Sequence, residues 1–371
     1  MKILYDHQAY DFLNFGGIPR YFYELTKGIT QLNHEIVNTI KFSENVYAKD
    51  KDYFTTIPFF PGQEAFRSRG RLKKLLNELV SIKYLKKDDY NIFHPTYYNP
   101  YFLKYLKNKP YVVTFHDLIH EKFSDKYDFL ARDYKTVLYK KEILKKARKI
   151  ISVSETTKKD LIEIYNVEAD KIQVIGLGNS LNANDIIYAN DADQKYFLYV
   201  GSRVAYKNFI FCLEAIAPIL KNHNLLFICA GGAEFNGEEM TVIRKLDLKN
   251  HVKHRKFTDY NMASLYGNAF AFIFPSLYEG FGIPVLEAFA CDCPCLLSRG
   301  GSLPEVGGGA ALYFDPIDAN SIQLAVNTII TNHVLRESLI FEGRQRLKSF
   351  SWDVTCQNTL QLYQSIVSKS I

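Results

Sequence analysis

No stretch of the 371-residue chain approaches the eighteen or so consecutive apolar residues that a membrane-spanning helix needs. The longest apolar runs, Leu225–Ala230 and Ala269–Phe274, are strand-sized. The N-terminus, Met1-Lys2-Ile3-Leu4-Tyr5-Asp6-His7, lacks the apolar core of a secretory signal, so a cytoplasmic chain is expected. Cysteine is sparse, with six residues, which excludes a disulfide scaffold. Cys291, Cys293 and Cys295 lie close together, but C-x-C-x-C is not a zinc-binding spacing, and reduced core thiols are expected there and at Cys212 and Cys229. No zinc-finger, RNP or helix-turn-helix pattern is present, which argues against a nucleic-acid partner. With 47% hydrophobic and 23% charged residues, neither a disordered chain nor a fibrous rod is tenable.

The net charge of +6 is unevenly placed. Residues 1–178 hold 30 Lys and Arg against 22 Asp and Glu, and the remainder holds 16 against 18. Two stretches are densest. Tyr139–Lys149 reads as a solvated helix face. Arg67–Leu76 sets its cations beside Leu72, Leu75, Leu76 and Leu79 at helical spacing, which suits an anionic membrane surface.

Strands and helices alternate along the chain. Lys2–Tyr5 is a strand, followed by Gly16-Gly17 and a helix over about 18–29. Strands follow at Tyr111–Phe115, Ile150–Val153 and Ile172–Ile175, with helices over about 133–148 and 155–165, the second capped by Ser154. Residues 179–194 are polar, lack an apolar period and read as a linker. The alternation then restarts, with strands at Tyr196–Val200, Leu225–Ala230, Val252–Phe257, Phe270–Phe274 and Cys295–Ser298, and helices capped by Asp259 and Asp318. This predicts an α/β protein of two doubly wound, Rossmann-like domains with parallel sheets, and a site in the cleft between them at the strands' carboxyl ends. Residues 41–71 fit no pattern and read as a mobile loop on the acceptor side.

The most informative segment is Pro275–Ala290, which reads PSLYEGFGIPVLEAFA. A strand ends at Pro275, Gly280 and Gly282 permit close approach of a ligand, and Pro284 suits the first position of a helix. A helix start favours a diphosphate. Glu279 and Glu287 flank it, and carboxylates accept hydrogen bonds from sugar hydroxyls. Sugars on both sides of a diphosphate describe a nucleotide sugar.

Glu279 and Glu287, in the setting S-x-Y-E-G-F-G-I-P-V-L-E-A, resemble the E-x7-E signature of retaining glycosyltransferases of family 4, which have the GT-B fold. The resemblance extends to Tyr199–Asn208, where Arg203 and Lys207 correspond to the cations that hold the donor diphosphate. Both cations follow a strand end, where Arg grips phosphate oxygens bidentately and Lys acts as a point charge. Gly16-Gly17 matches the family's N-terminal glycine loop, and it is not the G-x-G-x-x-G of a dinucleotide enzyme. His116, at a strand's carboxyl end in Thr114–His120, corresponds to a residue contacting the donor sugar, with Asp117 orienting it or the loop. Phe257 corresponds to the position beside the base, although its side chain suits a core equally. Gly280, Phe281, Gly282 and Ile283 complete the donor loop, and Glu305 reads as structural.

The resemblance implies an N-terminal acceptor domain over 1–178, with 352–371 packing back on it as a crossing helix, and a donor domain over 195–351. It implies front-face transfer of a sugar, mannose from GDP-mannose by analogy with mannosyltransferase-rich relatives, to a free or lipid-linked saccharide in bacterial surface polysaccharide assembly. The nucleotide sugar is a substrate, and no cofactor or metal is expected, because Arg203, Lys207 and the helix start stabilise the leaving group. Asp191-Ala-Asp193 is a D-x-D, but no strand leads into it. A peripheral position at the inner face of the membrane fits the basic first half. The alternatives are a nucleotide-sugar 2-epimerase of the same fold and a non-catalytic nucleotide-sugar or glycan-binding protein.

Overall fold

The computed structural model describes residues 1–12, 15–60, 68–188, 194–256 and 259–368. They gather into two compact units, Met1–Leu177 with Trp352–Ile371, and Gly178–Ser351.

In the first unit the elements run β1 (Lys2–Tyr5), α1 (Gln8–Phe12), α2 (Gly17–Gln31), β2 (Glu35–Asn38), α3 (Arg69–Lys87), β3 (Ile92–His94) and β4 (Val112–Phe115). They continue with α4 (Ile119–Phe123), α5 (Asp128–Arg132), α6 (Tyr134–Lys146), β5 (Lys149–Ser152), α7 (Glu155–Tyr165) and β6 (Ile172–Val174). Two parallel three-stranded sheets, β2-β1-β3 and β4-β5-β6, meet through a parallel bridge between Phe93 and Tyr111. The central strands β1, β3, β4 and β5 are almost wholly buried, as strands covered by helices on both faces must be. Ser154 caps α7 by accepting from the Thr157 amide.

In the second unit follow β7 (Tyr196–Val200), α8 (Phe209–Asn222), β8 (Leu226–Ala230), α9 (Gly237–Lys245), β9 (Val252–Arg255), α10 (Asp259–Gly267) and β10 (Ala271–Phe274). The unit ends with α11 (Ile283–Ala290), β11 (Cys295–Ser298), α12 (Leu303–Gly307), β12 (Ala311–Phe314), α13 (Ala319–Thr331) and α14 (His333–Leu347). Its six strands are parallel in the order β12-β11-β10-β7-β8-β9. Counted within the unit, that is the Rossmann order, and it reverses between β7 and β10. The chain then returns to the first unit as α15 (Trp352–Val367), which packs along α2.

Two sequence expectations need correction. Residues 179–188 are no free linker. Ile187 donates its amide to Ser264 Oγ, Asn268 donates to the Ile187 carbonyl, and Ile186 packs on Gly267, so the segment belongs to the second unit. Residues 41–60 are anchored, not mobile. Phe54, Phe59 and Ala48 are buried, Ser43 donates to the Tyr10 carbonyl, and the Asn77 side chain accepts from the amides of Lys41 and Phe42. An irregular segment pinned by side chains shows no period to a sequence reader. The remainder of that expected loop, 61–67, lies outside the described residues.

All six cysteines are buried and free, and burial pushes the Cys212 and Cys291 thiols up to about 12. Among the described residues no helix is long and apolar enough to cross a membrane, and no group of His, Cys, Asp and Glu could hold a metal.

The contact of α2 with α15 tests the packing. A Cβ on Gly28 would fall 2.5 Å from Cys356 Sγ and 3.1 Å from its Cβ. Replacing a helical glycine by alanine ordinarily gains up to about 1 kcal/mol, and Gly28 lies in the last turn of α2. Overpacking costs roughly 1–3 kcal/mol, so Gly28→Ala is expected to destabilise. The urea midpoint, read from the fluorescence of Trp352, should fall, and Gly28→Ala with Cys356→Ala should recover part of the loss. A rise in the single variant would refute the close packing.

Candidate donor site

In a doubly wound sheet, ligands bind beyond the carboxyl ends of the strands where the strand order reverses. In the second unit this point lies between β7 and β10, and the loops after these strands are tied together there. Leu277 donates its amide to the Tyr206 carbonyl at 2.8 Å, and Lys207 Nζ lies 2.6 Å from Glu279 Oε1. Lys207 also sits over the rings of Tyr206 and Phe274, at 5.3 and 5.5 Å. Its side chain is 16% exposed and that of Glu279 10%, so the pair is shielded yet reachable.

The loop carrying Glu279 is held from its other side too. Ser302 donates its amide and its hydroxyl to the Glu279 carbonyl, both at 3.0 Å, and Ser298 Oγ donates to the Ser276 carbonyl at 2.5 Å. A Cβ on Gly301 would lie 2.3 Å from the Glu279 carbonyl oxygen, and φ there is +58°, so only glycine allows this approach. Gly282, at φ +106°, caps α11, and Pro284 occupies its first turn. The helix start that suits a diphosphate thus follows directly on Glu279-Gly280-Phe281-Gly282. Ile283 opens the helix, and Phe281 is buried with its ring 5.8 Å from that of Phe350. Glu287 lies one turn into α11, past its first turn, where its Oε2 accepts from the buried Tyr266 hydroxyl at 3.0 Å. Tyr266 is a supporting residue that no sequence signal marks.

Arg203 departs from expectation. Its Nε donates to Glu239 Oε1 at 2.8 Å, its Nη1 to the Gly231 carbonyl at 3.1 Å and its Nη2 to the Ala233 carbonyl at 2.5 Å. The guanidinium lies 4.8 Å from the Phe235 ring centre, and the side chain is 4% exposed. Arg203 and Lys207 are therefore not an open cation pair, because Arg203 is held on Glu239 and on the Gly231 and Ala233 carbonyls. Glu239 is aimed by the start of α9, where Asn236 and Glu239 form a capping box. Asn236-x-x-Glu239 was the available sequence signal for this partner.

In the first unit, His116 follows β4. Its amide donates to the Tyr98 hydroxyl at 3.2 Å, its ring meets that of Tyr21 edge-on at 5.2 Å, and its Nε2 has no hydrogen-bond partner among the described residues. The fully buried Lys140 ties down the next residue through the Asp117 carbonyl at 3.0 Å and pairs with Glu121 at 3.1 Å. The Asp117 carboxylate accepts from the Ile119 amide and therefore shapes the loop, not the imidazole. His120 pairs with Asp133. Behind His116 runs a buried chain of contacts: Tyr363 hydroxyl to His94 Nδ1 at 2.5 Å, His94 Nε2 to Thr114 Oγ1 at 3.0 Å, and Thr114 Oγ1 to the Tyr21 hydroxyl at 3.0 Å. Gly16 caps α2 and Gly17 begins it, so both lie one turn from Tyr21. Phe257, Asp191 and Asp193 lie outside the described residues.

Burial dominates the titration of this unit. It lowers His7 and His116 to about 4 and His94 to about 3, and raises Asp11 to about 7. Native histidines below their ordinary 6.5 are neutral where the unfolded chain is protonated, so acid favours unfolding. Asp11 acts oppositely, because its native carboxyl already holds a proton between about pH 4 and 7. Unfolding between pH 6.5 and about 4 therefore takes up protons on balance, and stability falls as the pH is lowered through that range. The urea midpoint reported by Trp352 should drop on acidification from pH 6.5 to 5; a flat or rising midpoint would contradict the burial of these imidazoles.

Two family descriptions match successive parts of the chain. The family described as "Glycosyltransferase Family 4" matches residues 15–181, and that described as "Glycosyl transferases group 1" matches residues 182–346. The O-antigen chain mannosyltransferase RfbU of Salmonella typhimurium is 32% identical over 218 residues, which is 58% of this chain and 60% of that protein. The O-antigen chain mannosyltransferase B of Escherichia coli is 28% identical over 302 residues, 74% of each chain. Sucrose-phosphate synthase of Thermosynechococcus elongatus superposes with a TM-score of 0.79 at 20% identity over 99% of both chains. The chain belongs to the glycosyltransferases of the GT-B fold, to family 4 by its first unit and to group 1 by its second.

Proposed function

We propose that the chain transfers mannose from GDP-mannose to a saccharide acceptor, with retention of configuration and without a metal, in the assembly of a bacterial surface polysaccharide. The observation that carries this reading is the Lys207–Glu279 pair beside the start of α11 at the switch point of the second sheet. The names of the two O-antigen relatives support mannose and the pathway.

In the proposed reaction the bond from the sugar's anomeric carbon to the β-phosphate oxygen breaks, and that oxygen takes the electron pair. Lys207 and the α11 start meet the new charge in a shielded site. An acceptor hydroxyl attacks the same face, and its proton passes to the departing phosphate. No carboxylate nucleophile is needed, in contrast to the paired acids of a retaining hydrolase. Glu279 accepts from the donor sugar's hydroxyls, and Glu287, oriented by Tyr266, from the ribose. His116 is assigned to the donor sugar through its unpartnered Nε2, and Arg203 keeps its loop on α9 unless the donor draws it off Glu239.

The purified chain with GDP-mannose and a mannoside acceptor should yield GDP and an α-linked product, unchanged by EDTA. Lys207→Ala should lower kcat by about 10²-fold or more, as loss of an oxyanion-stabilising group does. Glu287→Ala should act mainly on KM. Lack of thermal stabilisation by each of GDP, UDP, dTDP and ADP, or conversion of the nucleotide sugar without acceptor, would overturn the reading.

The first unit is assigned the acceptor and a peripheral place on an anionic membrane. On α3, Leu72, Leu75 and Leu79 are 36%, 54% and 53% exposed, and Arg71, Lys83 and Lys86 are exposed with them. Such a face buries leucines among acyl chains and sets cations at headgroups. Leu75→Glu with Leu79→Glu should abolish sedimentation with phosphatidylglycerol vesicles and leave GDP binding intact; unchanged sedimentation would remove α3 from the proposal.

A further inference from the structure

The basic stretch Tyr139–Lys149 does not end as a plain solvated face. Its last cations, Lys146 and Arg148, line a surface cavity of about 480 Å³ together with Lys107 and Lys109. Leu106 and Tyr111, both buried, also line it, and the Tyr111 hydroxyl is fixed on the Ile143 carbonyl. The Arg148 amide donates to the Tyr111 carbonyl at 3.0 Å, so the segments entering β4 and β5 are bonded where the cations converge.

Little offsets this charge. Lys107 has Asp88 at 3.6 Å, and Lys109 lies over the Tyr90 ring at 5.7 Å. The Lys146 and Arg148 side chains have no ion-pair or hydrogen-bond partner among the described residues. Lys146 ends α6 and complements its dipole, but Lys107, Lys109 and Arg148 are on connecting segments where no such account applies. A second cavity, of about 560 Å³, borders the other side of α6, and there Glu168 pairs with Lys171 at 3.2 Å. The first cavity has four cations and no acid in its lining, whereas the second has three cations and Glu168.

It is also remote from the donor-binding residues of its own unit. The cavity lies where β4 begins and His116 lies past its end. At about 3.3 Å per residue, the five steps from Tyr111 to His116 span roughly 16 Å, too far for one phosphate to touch both.

We propose that Lys107, Lys109, Lys146 and Arg148 form a second anion site that binds a phosphate-bearing ligand, either a lipid headgroup or a soluble diphosphate. Arg148 supplies a planar fork for two phosphate oxygens, and the three lysines supply point charges around it. The apolar floor of Leu106 and Tyr111 suits the carbon skeleton attached to the phosphate. The site is independent of the transfer reaction.

Inorganic pyrophosphate is the probe, titrated calorimetrically into the full chain carrying Lys207→Ala, which disables the donor site. Binding that weakens with salt, and that weakens a further tenfold or so with Lys146→Ala and Arg148→Ala, is the expected result. The Lys107→Ala variant, which leaves α6 untouched, should weaken it in the same direction. The source is read in a second arm with vesicles of equal parts phosphatidylglycerol and phosphatidylcholine. If these vesicles displace pyrophosphate from the Lys207→Ala chain, the ligand is a headgroup; if pyrophosphate stays bound to the vesicle-bound chain, the ligand is a soluble diphosphate. Absence of pyrophosphate binding in the Lys207→Ala chain, or equal affinity with and without Lys146 and Arg148, would overturn the proposal.

Discussion

Lys207 and Glu279 stand 72 residues apart in the chain and 2.6 Å apart in space, and that contact ties the loop after β7 to the loop after β10. It exists because β7 and β10 are neighbours in the sheet, and they are neighbours because the strand order reverses there. The two loops emerge side by side with no helix between them. Each is then pinned, the first through the Tyr206 carbonyl and the second through Ser298, Gly301 and Ser302. The carboxylate keeps the ammonium in place. A charge-stabilising group that is already positioned needs no reorganisation during reaction, and a partly shielded site makes it stronger than it would be in water.

The first unit achieves rigidity by other means. His116 meets the Tyr21 ring, and behind it run Thr114, His94 and Tyr363, so that α2, β4, β3 and α15 all contribute. Buried polar chains of this kind rigidify a core when each member is satisfied and weaken it when one is not. The last helix therefore does more than cover α2, since it supplies Tyr363, which contacts both His94 and Tyr5. Lys140 plays the matching part on the other side of the loop, being fully buried yet hydrogen-bonded to the Asp117 carbonyl and Glu121.

Much of the architecture was legible from local pattern. The strand at Lys2–Tyr5, the Ser154 and Asp318 caps and the apolar runs of β8 and β10 follow from period and capping chemistry, and each is present. The segment 41–60 was not legible, because its order comes from Asn77 and from isolated buried aromatics. The polar stretch 179–188 misled for a related reason: Ile187 bonds to Ser264 in α10 and to Asn268 just after it, 77 and 81 residues away in sequence.

At the candidate site the same division holds. Glu279, Gly282, Pro284 and Glu287 sit within one short segment, so their spacing alone placed two carboxylates around a helix start, and the amino-acid sequence determined that much. The sequence equally determined that Arg203 and Lys207 follow a strand. Which of the two cations faces Glu279 was decided only in three dimensions. The capping box of α9 aims Glu239 at Arg203, and the register of β7 on β10 aims Glu279 at Lys207. Identical charges four residues apart carry no local mark of their partners, because the energy of an ion pair depends on distance through space and not along the chain.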